Sequence, residues 1–109
     1  MKRLIATALI VGLAGLYQAC AADAKTNWDK NCAACHGKDG KGQTTMGKKL
    51  KVQDYTDAKV QEGMKDEQMI KTITEGIKEG DTDKMKPFGQ VFKEDEIKAL
   101  VKYVRDFKK

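Results

Sequence analysis

Apolar residues recur at helical spacing in at least three stretches of the chain, and no run of β-branched residues alternates with polar ones. Trp28, Cys32 and Cys35 stand at i, i+4 and i+7, which predicts a first helix over about Lys25 to Ala34. From Gly37 to Tyr55 the chain is polar and rich in glycine, so it reads as a loop. Thr56 is a candidate N-cap for a short helix ending near Gly63. Asp66 is a second candidate, opening a helix with Met69, Ile70, Ile73 and Ile77 on one face and Gly76 and Gly80 at its fading end. Lys78 to Gly89, with the only proline, reads as a second irregular loop. The clearest helix is the last, about Glu94 to Phe107: Ile97, Leu100, Val101, Val104 and Phe107 form a stripe, with acids in the first turn and lysines at the end, as the helix dipole favours. The expected class is all-α and a single domain.

Within the first helix lies Cys32-Ala33-Ala34-Cys35-His36, a C-x-x-C-H run. Two thiols one helical turn apart can each form a thioether to a porphyrin vinyl group, and the adjoining imidazole then faces the iron. One such run implies one covalently attached haem c. Two rival readings are weaker. A thioredoxin-like dithiol should follow a strand within a βαβ pattern, and none precedes it. A tetrahedral zinc site needs four ligands, and the chain has a single His and no second Cys pair.

The ends and the charge place the protein. Lys2 and Arg3, an apolar run from Leu4 to Tyr17 and small residues from Ala19 to Ala24 have the layout of a secretory signal peptide over residues 1–22. The expected product is residues 23–109, a mono-haem domain exported to the periplasm. The run is shorter than the roughly 20 residues of a membrane span, so no transmembrane segment is expected. Cys20 follows a small residue at the end of that run, but Tyr17 stands where a lipobox has Leu, so lipidation is the lesser reading and loss with the leader the preferred one. The 21 basic residues include Lys2 and Arg3 of the leader and face 16 acidic ones. The balance is mildly basic, the lysines are dispersed and no aromatics interleave with them, which argues against nucleic-acid binding. A domain this small has a marginal core of its own and gains from a large apolar cofactor.

Because His36 is the only histidine, bis-histidine ligation within the chain is excluded, and methionine is the leading candidate for the second axial position. Met69 lies on an apolar helical face, Met64 beside a helix start and Met46 in the glycine-rich loop. Met85 is preferred, since it precedes Lys86-Pro87, where the fixed φ of proline stiffens the backbone presenting the thioether.

The segments Trp28-Asp-Lys-Asn-Cys-Ala-Ala-Cys-His-Gly, Asp54-Tyr55-Thr56-Asp57, Met85-Lys-Pro-Phe-Gly and Glu96-Ile97 through Arg105 together resemble small bacterial class I mono-haem cytochromes c. The resemblance implies three to five short helices wrapped around the haem, first and last helices crossing with Trp28 near Tyr103, Cys32 and Cys35 as covalent attachments, His36 as proximal ligand and Met85 as distal ligand. The pattern departs in two places. The loop proline whose carbonyl accepts the proximal His N–H is missing, so another residue between Gly37 and Tyr55 must supply it. Lys93 also stands where Ser or Thr caps the last helix.

A haem with both axial positions filled suits outer-sphere electron transfer, not catalysis. The expected function is a monomeric electron carrier for transient redox protein partners, with Lys38, Lys41, Lys48, Lys49, Lys84 and Lys86 near the predicted haem loops serving recognition or solubility. The alternative is a ligand-binding or sensing haem protein whose distal position is open or displaceable.

Overall fold

The computed structural model describes residues 18–109, with side-chain environments from Asp23 onward. The proposed leader therefore lies almost wholly outside the described residues, as does the Cys20 side chain. The described chain forms six helices and one two-stranded sheet: α1 Gln18–Asn31, α2 Ala33–His36, α3 Thr45–Leu50, α4 Ala58–Gly63, α5 Asp66–Glu75, β1 Ile77–Glu79, β2 Thr82–Met85 and α6 Glu94–Arg105.

α6 organises the core. Ile97, Leu100, Val101 and Val104 of its predicted stripe are buried, Leu100 most completely at 1% exposure. Burying one such side chain contributes about 2 kcal/mol. Trp28 of α1 packs on this helix, its ring centroid 5.7 Å from Tyr103 and 5.1 Å from Phe107. Phe88 and Phe92, stacked 5.5 Å apart, complete the cluster. Lys93 does not fray the helix start: the Glu96 carboxylate accepts its backbone N–H at 3.0 Å, which satisfies an otherwise unpaired donor.

Sequence and structure differ at several boundaries. The first helix begins earlier than Lys25 and breaks at Cys32, although Cys32 N–H still donates to Trp28 C=O at 2.9 Å and His36 N–H to Cys32 C=O at 2.9 Å. The glycine-rich loop contains α3, whose cap is Thr44: its hydroxyl accepts Gly47 N–H at 2.8 Å. α4 is capped by Asp57, not Thr56, whose hydroxyl is bound to Asp54 at 2.6 Å. Asp66 is the first residue of α5, with Lys65 at the cap position. The expected loop Lys78 to Gly89 is instead an antiparallel hairpin over most of its length, with Lys78 opposite Asp83 and Ile77 opposite Met85 across an irregularity. The fold is mostly helical, and the all-α expectation is corrected by this one ribbon.

Candidate functional site

The C-x-x-C-H segment sits where α1 gives way to α2, and three contacts fix its backbone. Trp28 Nε1 donates to Gly37 C=O at 2.9 Å, Gly42 N–H to His36 C=O at 2.8 Å, and the Thr44 hydroxyl to Cys35 C=O at 2.6 Å. Gly47 of α3 lies so near the segment that a Cβ there would run into the Cys35 carbonyl. Only glycine permits that approach.

Two clefts, of about 480 and 260 Å³, open beside this segment and share Cys32, His36, Tyr55, Ile77 and Met85 as walls. Cys35 faces the larger cleft, and Met64, Met69, Ile73 and Leu100 line the smaller. Their sizes lie at and somewhat below the range of small-molecule and cofactor pockets. Cys32, Cys35, His36 and Met85 are thus brought to one place, Cys32 and Cys35 as free, half-buried thiols. Of the expected lysines, Lys84 and Lys86 line the larger cleft, joined by Lys30 and Lys51. Lys38, Lys41, Lys48 and Lys49 are exposed and line neither cleft.

The electrostatics favour neutral groups. Burial, and then the neighbouring Cys35, push the Cys32 thiol up to about 11, the opposite of the depressed value that a redox dithiol requires. Burial also holds the His36 imidazole below its usual value, so it is neutral and able to donate a nitrogen lone pair at pH 7. Among the described residues no group of three His, Cys, Asp or Glu side chains is placed to hold a metal ion.

The residues fit a haem on three observations. His36 Nδ1 is buried without a hydrogen-bond partner among the described residues, and a buried polar nitrogen so placed costs about 1–3 kcal/mol unless something else satisfies it. The carbonyl expected between Gly37 and Tyr55 does not reach it. α5, though amphipathic, has no fully buried residue: Met69 and Ile73 of its apolar face pack against the core cluster beside α6 and also line the smaller cleft. Ile77 is 42% exposed over the same opening. The apolar plane of a haem would cover the side chains of Met69, Ile73 and Ile77, and its iron would take a lone pair from the His36 imidazole.

Sequence reasoning missed the polar frame of the site. Tyr55 stacks on His36, centroids 5.3 Å apart and planes at 23°, and lines both clefts. Gln61 is buried at 4% exposure and donates to Tyr55 C=O at 2.7 Å and Val104 C=O at 2.8 Å. A buried glutamine has no signature of its own in sequence, since its partners are backbone carbonyls from distant segments.

A covalent thioether pair with an adjoining imidazole defines a single-haem c-type centre. Residues 19–104 match the family model described as cytochrome C oxidase, cbb3-type, subunit III, and the chain belongs to that family of c-type cytochromes, carrying covalently bound haem c with its iron. Among solved structures it is similar to the KustC0563 c-type cytochrome, at 36% identity and TM-score 0.68, covering 79% of this chain and 98% of that one. A tyrosine-to-phenylalanine mutant of Kustc0563 gives TM-score 0.69 at 36% identity, with 79% and 99% covered. Comparison with curated proteins gave no match. Among the described residues no helix is long and apolar enough to cross a membrane.

Proposed function

We propose that this cytochrome is a periplasmic electron carrier with His36 and Met85 as axial ligands, and that it has no reaction of its own. When bound, haem c supplies a one-electron ferrous–ferric couple. Cys32 and Cys35 would hold it by thioethers, and the His36 nitrogen and the Met85 sulfur would be its iron ligands, a thioether sulfur favouring the ferrous state. The observation that supports this most is the convergence of all four side chains on one cleft.

That cleft also suggests how partners are met. Lys30, Lys51, Lys84 and Lys86 line it and no carboxylate does, so an acidic partner surface would be drawn to the same opening through which the electron passes. Because the matched family is described as an oxidase subunit, an oxidase is the first acceptor to test. Export with cleavage near Ala22 is read from the leader; the mass of the mature N-terminus tests it, and an acyl group on Cys20 would replace the free carrier by a tethered one.

One observation favours the second reading, a displaceable distal position. Met85 ends a hairpin whose residues from Ile77 to Asp83 are all exposed, and isolated two-stranded ribbons are marginal. The ferric optical spectrum separates the two. A low-spin spectrum with the weak far-red band of sulfur-to-iron charge transfer supports the carrier. A high-spin ferric spectrum, or fast carbon monoxide binding to the reduced protein, overturns it in favour of ligand binding.

A further inference from the structure

Tyr55 is pinned through its own backbone. Its N–H donates to Gly40 C=O at 2.9 Å, in the loop that follows the haem motif, and its C=O accepts from Gln61 of α4 at 2.7 Å. The Gln61 amide is fully used. Its Nε2 donates to the carbonyls of Tyr55 and Val104, its Oε1 accepts from Arg105 Nη1 at 3.1 Å, and the same Nη1 donates to Gln61 C=O at 2.7 Å. Arg105 spends the rest of its fork on the α4–α5 junction: Nη2 donates to Met64 C=O at 2.6 Å and to Asp66 Oδ1 at 2.8 Å, and Nε to the same oxygen at 3.0 Å. Both ends of this network finish at the cleft, Tyr55 against His36 and Met64 on the smaller cleft's wall.

We propose that Gln61, held by Arg105, is a positioning residue for the haem site: it fixes the Tyr55 backbone so that the Tyr55 ring covers His36 and excludes water from the proximal side. Water access to a haem stabilises the ferric charge and lowers the potential, so the residue that closes the wall sets the potential without touching the cofactor. A buried glutamine with both ends of its amide engaged is costly to misplace, which makes the wall rigid.

With His36 as proximal ligand, as proposed above, the test uses the haem-loaded full chain and three variants, Gln61→Leu, Arg105→Lys and Val101→Ala. Val101 is buried on α6 but lines neither cleft and stands outside the network, so its truncation reports general loosening. Midpoint potential and melting temperature are measured for each. Gln61→Leu is expected to lower the potential, Arg105→Lys to lower it less, and Val101→Ala to lower only the melting temperature. An unchanged potential in Gln61→Leu, or an equal shift in Val101→Ala, overturns the proposal. If Gln61→Leu yields no folded holoprotein, Arg105→Lys against Val101→Ala decides on the same terms. An unchanged potential in the variants, with a low-spin ferric spectrum in the wild type, overturns the positioning role alone, whereas a wild type with His36 off the iron overturns both readings.

Discussion

At the scale of single residues, chemistry is concentrated in a few side chains whose surroundings suppress their other reactions. Cys32 is a poor thiolate because it is buried, and burial keeps the His36 imidazole neutral, with a lone pair free for a metal. Met85→Ala is expected to abolish the far-red charge-transfer band and lower the midpoint potential; a redox titration in which both survive would move the distal ligand elsewhere, with Met64 and Met69 on the cleft wall as the next candidates. The turn before α4 has its own signature. The Thr56 hydroxyl and N–H both donate to Asp54, holding that carboxyl below its usual 3.8. The sign follows: the turn is stabilised above the unfolded value and loses that contribution as pH falls through the lowered one. An NMR titration should place Asp54 below an ordinary aspartate, and Thr56→Val should raise it.

At the scale of elements, what could be read from sequence was what depends on period and spacing. α6 lay within two residues of its expected bounds because its stripe faces one continuous core. The C-x-x-C-H run stood out by its spacing alone, and the structure brings its side chains to one cleft with Met85. The hairpin was not legible, because the Lys78 to Met85 run lacks alternation and is exposed as far as Asp83; the usable sign was Gly80-Asp81, a two-residue loop opened by a glycine at φ +63°. The Gln61 and Arg105 network was illegible for another reason: partners such as Gln61 and Val104 are 43 residues apart and meet only once α4 packs on α6. Gly76, at φ +72°, brings α5 against the Met85 carbonyl and the Pro87 nitrogen. Gly76→Ala should therefore destabilise the fold by about 1–3 kcal/mol in a denaturant melt and weaken the far-red band, since the clash falls on the segment that carries Met85. Leu100→Ala should cost more, about 2–5 kcal/mol, by opening a cavity between the core and the haem cleft.

At the scale of the whole molecule, a small chain buries limited apolar surface of its own, so a large apolar cofactor bound in the cleft is expected to add to its stability. The described residues arrange their charge unevenly around that cleft, with lysines at the opening and the acids of the α6 N-terminus, Glu94, Asp95 and Glu96, lining no part of it. Electron transfer to an acidic partner should accordingly slow as ionic strength rises, and Lys84→Glu should slow it further at low salt with the potential nearly unchanged. Stopped-flow kinetics across a salt series checks both. The central claim, one haem fastened through Cys32 and Cys35, is tested most directly by the intact mass of the purified protein after denaturation. Polypeptide plus one haem, falling to bare polypeptide in the Cys32→Ala, Cys35→Ala double variant, is the expected result; a wild type that weighs only its polypeptide despite competent maturation would contradict it.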